Sequence, residues 1–360
     1  MKKGWGVKKL GDVCEVLDKL RKPITKKNRV VGKYPYYGAT GILSYVHEYI
    51  FDEKLVLIGE DGAKWKSGDN SSFIVDGKYW VNNHAHVIRP YKKIIHDKWI
   101  VYFLNFSDLT DYITGMTVPK LNQEKMRSII IPLPPLPEQK RIVAILDKAF
   151  SAIEQAKANT EQNLQNAKEV FESYLQSVFE NRGEDWEEKK LGDCFKLKSG
   201  DGLTQKNMIP GKFKVYGGNG IAGLHNKYNL LGENVIVGRV GALCGNVRYI
   251  NDRIWLTDNA FSIVYYKYKF DLSFLVYLLN FNNLRSFARQ AAQPVISNSS
   301  LKGVLLNFPK SVESQQQIVK KLDLLSSKTQ KLQAIYEQKL VDLAELKKSL
   351  LQKAFSGELS

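Results

Sequence analysis

The chain repeats itself, and this limits what it can fold into more than any single motif does. Trp5, Lys8, Lys9, Leu10, Gly11 and Asp12 recur as Trp186, Lys189, Lys190, Leu191, Gly192 and Asp193, an offset of 181. Tyr37-Gly38 and Gly41-Ile42 return as Tyr216-Gly217 and Gly220-Ile221, and Gly62-Ala63 as Gly241-Ala242, at an offset of 179. Val101, Tyr102, Leu104, Asn105 and Phe106 match Val276, Tyr277, Leu279, Asn280 and Phe281 at 175. Ile142-Val143, Leu146-Asp147, Leu175-Gln176 and Phe179 match Ile318-Val319, Leu322-Asp323, Leu351-Gln352 and Phe355 at 176. Collinear blocks with a slowly drifting offset mean one unit duplicated, with small insertions in its loops.

Each copy has two textures. The first part is rich in Gly, Asn, Lys and aromatics, with short β-branched runs such as Leu55–Ile58, Phe73–Val75, Val235–Val237 and Ile263–Tyr265 that read as strands between turn signals. Trp99–Phe106 and Phe274–Phe281 read as helices. The second part lacks Gly and Pro over a long stretch and carries apolar residues at helical spacing. Ile318, Leu322, Leu325, Thr329, Leu332, Tyr336, Lys339, Leu343, Leu346 and Leu350 step by four and three, the seam of a coiled coil. A weaker seam runs through Ile142, Leu146, Ala149, Ile153, Ala156, Thr160, Asn163, Ala167, Val170 and Tyr174, where small residues permit close approach. At 1.5 Å per residue, about forty residues span roughly 65 Å, longer than an ordinary domain is wide. The expected fold class is α+β: two mixed α/β domains, 1–137 and 184–312, separated by two long spacer helices, 138–183 and 313–360. The seam residues Ile142, Leu146, Ile153, Ile318, Leu322, Leu325, Leu332 and Leu343 are expected to join those helices.

The charge is concentrated where the Gly-rich texture is. Lys and Arg number 53 against 37 Asp and Glu, a net +16. Residues 1–137 carry 22 basic and 14 acidic side chains, and 184–312 carry 17 and 10, so +15 lies on these two parts. Two basic modules held apart by a nearly neutral rod fit a polyanionic partner, because each cation near a phosphate releases condensed counterions. No apolar run is long enough to span a membrane, and Met1-Lys2-Lys3 runs into Gly4, Trp5 and further charge rather than an apolar signal segment, so a cytoplasmic location is expected. Cys14, Cys194 and Cys244 are far apart and form no C-x-x-C pair, which excludes a sequence-evident zinc ribbon or disulfide framework.

Motifs for catalysis are weak or missing. Gly218-Asn219-Gly220-Ile221-Ala222-Gly223 satisfies G-x-G-x-x-G, but no long buried strand precedes it and no helical pattern follows, so it reads as a glycine turn. His84-Ala85-His86, with Asp97 or His96, offers metal ligands, yet the second copy has Asn259-Ala260-Phe261 there, and a polar strand end is the preferred reading. There is no phosphate loop and no Asn-Pro-Pro-Tyr or Asp-Pro-Pro-Tyr segment suited to methylating a base amine. No catalytic, cofactor or metal residue is therefore assigned. Basic and amide side chains do cluster in loops. In the first copy these are Arg21, Lys22, Lys26, Lys27, Asn28, Arg29, Lys64, Lys66, Lys120 and Asn122. In the second they are Lys198, Thr204, Gln205, Lys206, Asn207, Arg239, Gln290 and Gln293. Arg and Lys suit guanine edges and Asn and Gln suit adenine, while many Lys touch only phosphate. These are the candidate DNA contacts. A coiled-coil adaptor that binds only proteins, or a DNA-modifying enzyme with an unrecognised site, are the rival readings.

The segment Ile131-Pro132-Leu133-Pro134-Pro135-Leu136-Pro137-Glu138-Gln139-Lys140-Arg141-Ile142-Val143, the paired W-x-x-K-K-L-G-D openings and the end Leu350–Leu359 resemble the DNA-specificity subunits of type I restriction-modification systems. The resemblance covers the whole chain. It implies two target-recognition domains, each followed by a long helix, the helices packed as an antiparallel coiled coil about an approximate two-fold axis. The implied partners are double-stranded DNA, two methyltransferase subunits that hold S-adenosylmethionine, and restriction/translocase subunits that use ATP and Mg. The second helix entry, Phe308–Ile318, keeps one proline and lacks the P-E-Q triplet, which leaves its local cap as the point of departure.

Overall fold

The computed structural model describes residues 4–289 and 293–359. The chain divides into two compact units, Met1–Glu161 with Glu337–Ser360, and Gln162–Tyr336. The module of the first unit holds strands β1 (Gly6–Lys9), β2 (Cys14–Val16), β3 (Val31–Gly38), β4 (Gly41–Val46), β5 (Phe51–Asp52), β6 (Leu55–Gly59), β7 (Ser72–Val75), β8 (Lys78–Val81), β9 (Ala85–Pro90) and β10 (Ile130–Leu133). Its helices are α1 (Leu10–Val13), α2 (Asp97–Phe106) and α3 (Gln123–Ser128), and the 45-residue α4 (Leu136–Glu180) follows. The second module holds β11 (Trp186–Lys190), β12 (Lys196–Ser199), β13 (Phe213–Gly217), β14 (Gly220–His225), β15 (Glu233–Gly238), β16 (Val247–Asn251), β17 (Ile254–Leu256), β18 (Ala260–Val264) and β19 (Leu305–Pro309). With them come α5 (Leu191–Cys194), α6 (Leu272–Phe281), α7 (Asn298–Leu301) and the 45-residue α8 (Val312–Ser356).

The duplication extends to topology. A ribbon β1-β10 in the first module matches β11-β19 in the second, and the sheet β2-β9-β6-β7 matches β12-β18-β15-β16. The sheet β4-β3-β8-β5 matches β14-β13-β17, and the place of β5 is taken by an isolated bridge between Leu230 and Ile254. Even the irregularity is shared: the ladder slips between Tyr36 and Tyr37 in one hairpin and between Val215 and Tyr216 in the other. The β-branched runs supply these central strands because both faces are buried, Leu55–Ile58 and Val235–Val237 being at most 1% exposed.

In the first module one asparagine of α2 fastens the helix to the edge strand β7. Asn105 accepts from Ser72 N at 2.9 Å and donates to Ser72 O at 3.0 Å. Asn280 of α6 repeats both bonds on Val247, each at 3.0 Å. Such a two-point bond satisfies a strand edge that would otherwise be buried without partners.

The entry into each long helix is also built twice. In α4, Pro137 occupies the first turn, where a missing N–H costs nothing. The fully buried Gln139 accepts from His96 N at 2.9 Å and donates to Ile94 O and Pro134 O at 3.0 and 2.8 Å. In α8, Gln315 accepts from Asp271 N at 2.8 Å and donates to Lys269 O and Pro309 O at 3.3 and 2.9 Å. The glutamine is thus the working part of the entry. The second copy keeps it with a single proline, Pro309, and Ser311 caps the helix by accepting from Ser314 N at 3.0 Å.

Each unit contains halves of both long helices. In the first, Phe355 of α8 lies among Trp99, Phe103 and Phe106, with its ring centroid 4.8 Å from Trp99. Arg141 donates to Leu359 O at 2.7 Å, and Lys347 pairs with Glu154 at 3.1 Å, so the two segments run in opposite directions. In the second unit, Phe179 of α4 fills the corresponding place, 4.8 Å from Phe281 and 5.8 Å from Phe274, with Ile318 and Val319 packed on the same core.

The buried line along the helices departs from the expected seam in part. Ile142, Leu146, Ile153 and Leu322 are buried, and Ile318, Leu325 and Leu343 are half-buried. Leu332, expected in the seam, is 42% exposed, and so are Val170 at 50% and Leu346 at 48%. The sheltered positions are instead Leu164, Phe171, Gln333, Leu340 and Lys347, one residue further on. The physical reason is that the apolar Leu164, Phe171 and Leu340 offer the helix contact more than Asn163, Val170 and Lys339 do, and the aliphatic stems of Gln333 and Lys347 continue the line. Among the described residues no helix is long and apolar enough to cross a membrane.

Candidate nucleic-acid interface

The candidate contacts gather around equivalent structural features in the two modules. A short 3-10 turn, Lys26–Asn28, precedes the β3–β4 hairpin, and its counterpart Gln205–Asn207 precedes β13–β14. All six side chains are exposed, as are Lys22, Lys64, Lys66, Lys198, Thr204 and Gln293. Thr204, Gln205 and Asn207 line a cleft of about 450 Å³ with Thr257, Asp258 and Asn259. Gln290 lies outside the described residues.

Four first-module candidates are engaged internally. Arg21 pairs with Glu60 and donates to Ala85 O at 2.9 Å and Asn83 O at 3.3 Å. Lys120 holds the other oxygen of Glu60 at 2.8 Å. Arg29 donates to Ile24 O at 3.0 Å and lies 4.4 Å over the Tyr36 ring. Asn122 caps α3 by accepting from Lys125 N at 2.8 Å. Their first role is to hold loops in place.

Beneath them is a buried ionic cluster that sequence reasoning missed. His86 is fully buried, with Nδ1 at 2.6 Å from Asp18 Oδ2 and Nε2 at 2.7 Å from Leu121 O. The ring is thus held between a carboxylate and a backbone carbonyl. Asp18 also accepts from Val87 N at 2.9 Å and Gln123 at 2.9 Å. Burial alone would raise the Asp18 carboxyl, but His86, Gln123 and the Val87 amide hold it below the ordinary range. Glu60 is likewise held low, against burial, by Lys120 and Arg21. Asp18, Glu60 and His86 could offer atoms within 4.8 Å of one another to a metal ion, but Arg21 and Lys120 already supply the compensating charge. His84, the other member of the His-Ala-His segment, pairs with Asp61 just before β9. The three cysteines are buried, and burial pushes the Cys14 thiol up to about 12 and Cys194 to about 11, so their role is packing.

The second module places different chemistry on the same frame. Within the glycine segment 218–223, Gly218-Asn219 turns between β13 and β14, and Gly220, at φ 102°, begins β14. A Cβ at Gly218 would collide with Val240 O, so the turn lies flush on the end of β15. There Arg239 stands where the first module has Glu60, and Phe261 where it has His86. Arg239 donates to Asp258 O at 3.1 Å, the carbonyl equivalent to the Asn83 oxygen that Arg21 reaches. Both modules thus set a guanidinium on the same carbonyl, from different segments of chain. A further arginine, Arg248 on β16, was not singled out by the sequence because it sits in a strand rather than a loop.

A sequence model of the type I restriction modification DNA specificity domain matches residues 2–164 and 183–338. A putative type I restriction enzyme specificity subunit of Haemophilus influenzae is 36% identical over 39% of this chain and 36% of that protein. The EcoprrI specificity subunit of Escherichia coli is 28% identical over 55% of this chain and 52% of its own. The matches therefore span about half or less of these two relatives. The putative MjaX specificity subunit of Methanocaldococcus jannaschii is 24% identical over 99% of this chain and 93% of its own. Among solved structures, the HsdS subunit of Thermoanaerobacter tengcongensis shares the fold at a TM-score of 0.63, with 18% identity over 100% of this chain and 98% of its own. A chain from a structural study of assembly and conformational transition in the type I R-M system does so at 0.73, with 17% identity over 100% and 99%.

Proposed function

The chain belongs to the type I restriction modification DNA specificity family, and from that premise we propose that it is the non-catalytic subunit that reads a bipartite, asymmetric DNA target. In this reading modules 1–137 and 184–312 each take one half-site, and the helices 138–183 and 313–360 pack as an antiparallel coiled coil that fixes the distance between them. Half-sites on one face of a duplex repeat about every 34 Å, which such a spacer is long enough to set. The observation that carries the proposal is a pair of topologically equal basic modules with different exposed polar turns, Lys26–Asn28 against Gln205–Asn207. Equal frames serve the same task, and unequal turns give unequal half-sites.

The partners in this proposal are double-stranded DNA, two adenine methyltransferase subunits carrying S-adenosylmethionine, and restriction/translocase subunits using ATP and Mg. The test is methylome sequencing of cells with and without the chain. Loss of one bipartite, asymmetric adenine-methylated motif is expected, and an unchanged methylome would overturn the reading. Duplex binding by the purified chain should weaken steeply with salt, as phosphate neutralisation requires.

A further inference from the structure

Two arginines of the second module each keep a buried side-chain nitrogen without an acceptor, and among the described residues neither has a carboxylate partner. Arg239 has a buried Nε without an acceptor; among the described residues its side chain donates to a backbone carbonyl and lies 5.4 Å from the Phe261 ring centroid. Arg248 has a buried Nη1 without an acceptor and makes no side-chain hydrogen bond or ion pair among the described residues. Both flank the glycine turn of the β13–β14 hairpin. Arg239 N donates to Asn259 O, one of the atoms against which Gly218 lies, while a Cβ at Gly220 would come 3.6 Å from Arg248 Nη2. In the first module the equivalent positions are chemically closed. Glu60 is neutralised by Arg21 and Lys120, and Phe73, which stands in place of Arg248, lies 5.8 Å from the Tyr37 ring.

An unpaired, partly buried guanidinium is costly to a folded chain, since its donors lose water without gaining acceptors. The first module shows that this frame folds with an aromatic ring at that position. Stability therefore gives no reason for Arg248, whereas an incoming acceptor would satisfy it. The planar fork of arginine suits a paired-acceptor edge, and duplex DNA presents two of these, the O6/N7 edge of guanine and the phosphate oxygens.

We infer that Arg248, with Arg239, is a DNA-contacting site of the second module that takes a paired-acceptor edge of DNA beside the Gly217–Gly220 turn. This rests on the proposed DNA-reading function and names the residues that perform it in one module. The site is one-sided: the first module pairs its corresponding guanidinium, Arg21, with Glu60 and has Phe73 at the place of Arg248, so the effect is confined to one half-site.

The experiment uses the full chain, with Arg248→Phe, which installs the first module's residue, and Arg248→Lys, which keeps the charge but loses the fork. Duplexes carrying the motif lost from the methylome are titrated, with 7-deazaguanine at each guanine or methylphosphonate at each phosphate of the second half-site. Arg248→Phe should bind roughly 5- to 150-fold more weakly, the loss of about one bidentate contact, and should melt at a higher temperature than the parent. Arg248→Lys should recover only part of the affinity. If guanine is the source, one 7-deazaguanine weakens the parent but not Arg248→Phe. If phosphate is the source, one methylphosphonate does so instead. Parent-like binding and motif in Arg248→Phe would overturn the inference while leaving DNA recognition standing. Failure of the parent to bind any duplex would instead overturn the functional reading itself.

Discussion

The two modules share a frame and differ where the frame does not need a particular residue. Tyr37-Gly38 and Tyr216-Gly217 open the same hairpin turn, Asn105 and Asn280 tie the same helix to the same strand, and Gln139 and Gln315 fasten the same helix entry. Beside the turn, the first module has Glu60, His86 and Phe73, and the second has Arg239, Phe261 and Arg248. One copy encloses a compensated ionic cluster, and the other leaves guanidinium donors without acceptors. The comparison teaches that duplication preserved the residues that close the backbone's hydrogen bonds and left the charge beside the turn free to diverge.

The largest expected effect is on the shared frame and should be equal in both modules. Phe355→Ala and Phe179→Ala each empty an aromatic cluster and should cost about 3–5 kcal/mol, read by denaturant unfolding. A large loss for one and none for the other would break the equivalence. Next, Gln139→Leu and Gln315→Leu each leave one amide and two carbonyls unpaired, a cost of about 3 kcal/mol, checked in the same way.

Acid should separate the modules. Asp18 and Glu60 have folded values below their ordinary ones, so their stabilisation is complete above the ordinary carboxylate range near ~4 and is lost as pH falls through the folded values. Hydrogen exchange should show β9 losing protection at low pH before its counterpart β18, which has Phe261 instead of His86. Simultaneous loss in both strands would contradict the comparison. The smallest effect is a gain: Arg248→Phe should raise stability by about 1 kcal/mol, seen as a higher Tm.

Much of this was legible in the sequence, because repeats and helical spacing are properties of neighbouring letters. Leu55–Ile58 and Val235–Val237 lie in central strands and Phe73–Val75 in the edge strand β7, Trp99–Phe106 lies within α2, and of the 218–223 glycines Gly218 is in the hairpin turn while Gly220 and Gly223 belong to β14. What the letters concealed were contacts between distant residues. Arg21 meets Glu60, 39 residues away, and Asn122 is spent on capping α3, so a basic or amide loop residue is not by itself a free one. Arg248 escaped notice for the opposite reason, as a lone charge in a strand. The helix line shifted by one residue because Gln333 and Lys347 shelter there while Leu332 does not.

The central claim is that two independent readers share one frame. It is tested most directly by exchanging residues 184–312 for the matching part of a relative and sequencing the methylome of cells that carry the hybrid. The account predicts a new second half-site with the first half-site and the spacer unchanged. A change in both half-sites together would contradict it.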